Sequence, residues 1–204
     1  AYDGVENIKS LVDEVKSYTN FFVVGSSGIT HNVTSLNEVC QYIYDSGLYF
    51  APFMHITNRF NQSQWTSYAR QLWGNRFWRV YAYNEAGGHQ IDLSYPHLVA
   101  EANNYNDAAD KYVENLAGNL TEFRFSDFPL LTSDYALYEF DYRAGYDVVL
   151  AEFGWNFSRP LHVALCRGAA TAHNKDWGVM ITRTYTQPPY IESGAELYLS
   201  LIHI

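Results

Sequence analysis

Phe77 to Asp92 read FWRVYAYNEAGGHQID, an apolar, aromatic-rich run that ends in Asn84-Glu85 and two glycines. Phe77, Trp78, Val80, Tyr81 and Tyr83 favour β structure and are too few for a helix, so the run predicts a strand. Gly87-Gly88 is expected to break it. What remains at the strand mouth is an amide beside an acid. Such a pair can hydrogen-bond a sugar hydroxyl and protonate a leaving oxygen; the same Glu85 can equally be read as a solvated turn carboxylate.

Outward from this strand, helical and strand periods alternate. Towards the N-terminus, Val5, Ile8, Leu11, Val12 and Val15 recur at helical spacing before the apolar run FFVVGSS at 21–27. Leu36, Val39, Cys40, Ile43 and Tyr44 predict the next helix, stopped by Gly47 and followed by the strand LYFAPFMHI at 48–56. A helix over 62–73, with Trp65, Tyr68, Ala69 and Leu72 on one face, leads into the strand at 77–84. Residues 85–103 are expected to form a long functional or covering loop. Beyond it come a helix over 104–116 ended by Gly118, a strand PLLTS at 129–133, a short helix at 135–142, a strand at 147–155, a helix at 159–172 opened by Pro160, and a strand at 177–185. A further helix is expected to open near Ser193.

Helix-separated strands of this kind make a parallel sheet, either closed as a (β/α)8 barrel or open and doubly wound. Gly25-Ser26-Ser27-Gly28 is too short and ill-spaced for either nucleotide fingerprint, so no cofactor is expected. Polar residues end nearly every strand, which is how barrels distribute chemistry. The expected fold class is therefore α/β, a TIM-type (β/α)8 barrel present as an incomplete copy with about six of eight strands. It is read as one domain over 1–204, cut at both ends, in which LSLIHI at 199–204 resembles sequencing-adapter read-through.

The bulk numbers narrow the partners. With a net charge of −9 and only 13 Lys and Arg, the chain offers no phosphate-neutralising stripe, which argues against nucleic acid and anionic membrane. No 18-residue apolar run is present to insert into a bilayer. The 18 tyrosines suit partly wet surfaces, including sugar faces, although ordinary packing accounts for most of them. Cys40 and Cys166 fall in helical segments and are expected as buried free thiols. Asn-x-Ser/Thr sequons at Asn32, Asn61, Asn119 and Asn156 suit an extracellular or cell-surface protein.

An Asn-Glu pair at the end of what would be strand four resembles the acid/base signature of the large clan of retaining (β/α)8 glycoside hydrolases. YDVVLAEFGWN at 146–156 and GVMITRTYTQPPYIESG at 178–194 extend the likeness to archaeal-type and metagenomic barrel proteins grouped with those enzymes. The resemblance implies a carbohydrate substrate, small oligosaccharide or polysaccharide, and Glu85 as general acid/base. It also implies a glutamate at the end of strand seven, where this chain has Arg183-Thr184-Tyr185-Thr186-Gln187 and no carboxylate before Glu192. The candidate partners of Glu85 are Glu152, which would have a raised pKa if buried and inward, Asp134 just past strand five, and Glu192; each also has a structural reading. Tyr83, Asn84, His55, Trp155, Asn156, Tyr185 and Arg183 are candidates for substrate binding. Two other readings stay open: a non-catalytic barrel that binds a glycan or protein, and a metal-dependent hydrolase using His31, His55 and His89, which lack any local metal-ligand spacing.

Overall fold

The computed structural model describes residues 4–54, 60–82, 85–91, 99, 101–121, 123, 128–153 and 158–181. Their order is α1 (Val5–Val15), β1 (Phe21–Val24), α2 (Ser27–Thr30), α3 (Val33–Asp45), β2 (Tyr49–Met54), α4 (Gln62–Trp73), a single 3-10 turn (Gly74–Arg76), β3 (Val80–Ala82), α5 (Ala86–Ile91), α6 (Tyr105–Leu120), β4 (Leu130–Asp134), α7 (Tyr138–Ala144), β5 (Val148–Phe153), α8 (Arg159–His173) and β6 (Asp176–Ile181). The six strands are arranged in chain order, β1-β2-β3-β4-β5-β6. Each pairing with a described register is parallel. A doubly wound sheet reverses its strand order at a switch point; this one does not. The fold is α/β with the winding of a (β/α) barrel, of which six strands are described.

Contacts divide the chain into two compact units, residues 1–83 with 121–130, and residues 84–120 with 131–204. In the first, α1 buries Ile8 and Val12, and α3 buries Leu36, Val39, Cys40 and Ile43, the i, i+3, i+4, i+7 stripe of an amphipathic helix. The Asn32 side chain caps α3 by accepting from the Thr34 and Ser35 amides, and Asn61 caps α4 by accepting from Gln64. Two of the four sequon asparagines thus have a folding role of their own. Gly47 follows α3 at φ 82°, and the Leu48 amide returns to the Ile43 carbonyl, a closure that the left-handed glycine permits.

An aromatic cluster holds α4 to the sheet. Phe77 stacks on Phe128 at 4.6 Å, meets Trp65 edge-on at 5.6 Å and stacks on Phe50 at 5.8 Å, while Phe50 meets Trp73 at 5.5 Å. The inward face of α4 therefore keeps the expected Trp65 and Ala69 but is completed by Thr66 and Trp73 rather than Tyr68 and Leu72. Tyr68 and Leu72 are 49% and 45% exposed, because the sheet packs against the two tryptophans instead. Likewise the run at 21–27 is not one buried strand: β1 stops at Val24, Val23 is 38% exposed, and α2 begins at Ser27.

In the second unit, β4 pairs with β5 from Leu131↔Val148 to Asp134↔Ala151, and β5 with β6 from Val148↔Asp176 to Phe153↔Ile181. The two largest departures from expectation lie here. Residues 86–91 form the helix α5 rather than the start of a loop, with Gly87 and Gly88 buried inside it, and α6 runs past Gly118 to Leu120. Cys40 and Cys166 are both free and buried in helices, as expected.

Candidate active site

Three of the candidate site residues, Glu85, Glu152 and Asp134, are described, and all belong to the second unit. Glu192, Tyr83, Asn84, His55, Trp155, Asn156, Tyr185 and Arg183 lie outside the described residues, as does the expected helix near Ser193.

Glu152 is the fifth residue of β5 and is buried, 8% exposed. The register pairs Ser133 with Leu150, and alternation puts Leu150 and Glu152 on one face of the sheet, so Ser133 shares the face of Glu152. The Ser133 hydroxyl donates to Glu152 Oε1. Glu85 comes within hydrogen-bonding reach of the same carboxyl group. Burial pushes the Glu152 carboxyl up to about 8; the Ser133 hydroxyl pulls it down, and the negative charge of Glu85 and its hydrogen bond add to the rise. A carboxylic acid is thereby held protonated near neutral pH beside a second carboxyl group.

Glu85 stands in an unusual backbone setting. Its φ is 42°, a left-handed conformation that costs a non-glycine residue about 1–2 kcal/mol. Its carbonyl accepts from the His89 amide at 2.9 Å, the opening bond of α5. One turn on, His89 Nε2 is 3.5 Å from Glu85 Oε2, both side chains about one fifth exposed. Strain at a residue whose side chain enters a polar cluster is a mark of functional sites.

Asp134 does not join this pair. It is adjacent to Ser133 in β4, so it projects from the opposite face. Its carboxyl is buried and accepts four amide bonds, from Gly87 at 2.7 Å, Gly88 at 2.7 Å, Tyr135 at 2.7 Å and Ala136 at 3.0 Å. Burial pushes it up to about 7 while those donors pull down. Since every bond it makes is accepted, the surroundings are built for the ionised form. Asp134, expected as a candidate partner of Glu85, thus lies on the opposite face of β4 from Ser133 and is bonded to the start of α5.

Behind Asp134 lies a further buried acid, Asp141 in the first turn of α7, with Oδ2 unpaired. Burial, then the charge of Asp134, push its carboxyl well above the usual range. The nearby Tyr112 hydroxyl is also buried without a hydrogen-bond partner. His162 accepts or donates at Tyr138, and His173 at Glu139, both on the α7–α8 side and apart from the carboxyl pair.

Among the described residues no group of three His, Cys, Asp or Glu side chains could hold a metal ion. His31 is the exposed C-cap of α2, His89 faces Glu85, and His55 is outside the described residues. A cleft of about 470 Å³ in the first unit opens at the N-terminal ends of β1 and β2, and its lining among the described residues, Asn20, Phe21, Tyr49 and Trp78, carries no carboxyl group. Ser133 is not among the candidates from sequence, and His89 is expected there only as a metal ligand, not as a neighbour of Glu85. The signal for that second role is the four-residue spacing of His89 from Glu85.

Comparison with known proteins finds no matching family, no matching curated protein and no matching solved structure.

Proposed function

We propose that Glu85 and Glu152 form an acid–base pair that hydrolyses a glycosidic bond, with Glu152 as proton donor and Glu85 as base or nucleophile. The observation that carries this reading is the buried Glu152, pushed up to about 8 and in contact with a second carboxyl group. One group that holds a proton and one that can accept it are what hydrolysis at neutral pH requires. Retaining glycosidases keep their carboxyl groups about 5–5.5 Å apart and inverting ones about 6.5–9.5 Å apart. A sugar entering between them would exchange the interaction of Glu152 with Glu85 for contacts with the glycosidic oxygen and the anomeric carbon. The Asn84-Glu85 resemblance supports the same substrate class, and an acidic chain suits a neutral glycan over an anionic one.

The test is a screen of chromogenic glycosides and polysaccharides with the chain, Glu85→Gln and Glu152→Gln. Hydrolysis should fall by at least about a hundredfold in each variant. Wild-type rates in both variants would remove the pair from the mechanism. Glycan binding without turnover by the unaltered chain would favour the non-catalytic reading.

A further inference from the structure

We propose that Asp134, with Gly87 and Gly88, is a positioning device that clamps the start of α5 onto the end of β4 and so holds Glu85 against Glu152. The inference rests on the acid–base reading for its chemical meaning, while its geometry stands alone. Asp134 Oδ2 takes the Gly87 amide and Oδ1 the Gly88 amide, both at 2.7 Å. These are among the first N–H groups of α5, which have no partner within the helix. The same carboxylate accepts the Tyr135 and Ala136 amides just beyond its own strand, so one side chain joins two chain segments 46 and 47 residues apart.

The glycines make that approach possible. A Cβ on Gly87 would overlap the Ala136 carbonyl oxygen and lie 2.9 Å from Asp134 Oδ2, and one on Gly88 would fall within the Tyr135 ring. Both obstacles are close: the first is backbone and the second a ring on a buried residue. A side chain at 87 meets backbone and must therefore push α5 away from Asp134, whereas at 88 either α5 or the Tyr135 ring has to shift. Glu85 immediately precedes this helix and gives it its first carbonyl acceptor, so displacement of α5 moves Glu85. A helix this short, with two glycines among its six residues, has little stability of its own. Its position is set by the clamp. Asp134 projects from the face of β4 opposite Ser133 and spends its carboxylate on backbone amides, which makes it a positioning residue rather than a catalytic one.

The experiment follows the titration of Glu152 by NMR of side-chain carboxyl carbons, assigned with Glu152→Gln. Gly87→Ala leaves every charge in place, yet should lower the Glu152 midpoint by at least about one pH unit, as Glu85→Gln does. The shifts of the two variants should combine less than additively, because both remove the same contact. A folded Gly87→Ala chain with the wild-type midpoint, or strictly additive shifts, would overturn the proposal. Amide exchange in the unaltered chain gives a second arm that needs no variant: the Gly87 and Gly88 amides should exchange at least about tenfold more slowly than exposed ones. Exchange at the exposed rate would overturn it too. Neither arm uses a substrate, so a chain that hydrolyses nothing sinks the enzymatic reading alone, and additive shifts sink the clamp alone.

Discussion

Replacing Glu152 by Gln changes how stability depends on pH, in a direction that the burial of this group fixes. The folded-state value of about 8 lies above the ordinary value of 4.5. Between the two, the folded chain binds more protons than the unfolded chain, so stability falls as pH rises through that window. Below pH 4.5 both states are protonated and the group is neutral in its effect. Each pH unit across the window removes about 1.4 kcal/mol, which sets an upper bound of about 5 kcal/mol; partial hydration and relaxation bring the expected loss to about 2–5 kcal/mol. Gln keeps an acceptor for the Ser133 hydroxyl and cannot ionise, so the loss is absent in the variant. Asp134 and Asp141 are raised in the same sense and are present in both proteins, so what differs is Glu152 itself together with the charge that Asp134 exerts on it. Urea unfolding followed by tryptophan fluorescence at pH 4, 6, 8 and 9 measures it. The variant should match the parent at pH 4 and exceed it by about 2–5 kcal/mol at pH 9. Parallel stability profiles for the two proteins would show that Glu152 is not a buried, protonated acid, and the acid–base reading would lose its donor.

Two further outcomes probe the packing. Phe77→Ala empties the centre of the aromatic cluster formed with Phe50, Trp65 and Phe128 and should cost about 3–5 kcal/mol by chemical denaturation; a loss under 1 kcal/mol would mean the cluster does not hold α4 to the sheet. Burial pushes the Cys166 thiol up to about 12 and raises Cys40 as well, so neither should react with a disulfide reagent at pH 8 until urea unfolds the chain. Rapid labelling of the folded protein would contradict the burial of α3 or α8.

The strands and long helices could be read from sequence because each carries its own periodic signal: α3 buries the stripe Leu36, Val39, Cys40 and Ile43 that its spacing announces. α4 shows the limit of the method. Trp65 and Ala69 lie on the face its spacing announces, but whether Tyr68 and Leu72 or Trp73 completes that face is decided by rings outside the helix, Phe77 against Trp65 and Phe50 against Trp73. The failure at α5 has a different origin. Two adjacent glycines carry the lowest helix propensity of any residue but proline, and a local reading has to take them as a break. What makes them helical is a carboxylate 46 residues away and the lack of room for any Cβ. The same information decides the site. Glu85, Asp134 and Glu152 were all visible as acids near strand ends, but their division of labour follows from strand alternation, which sets Ser133 toward Glu152 and its neighbour Asp134 toward α5. A one-residue difference along β4 thus separates the side chain that bonds the proposed donor from the one that holds its partner in place. Sequence could name the acids; register and contact separate the one that the Ser133 hydroxyl bonds from the one that backbone amides hold.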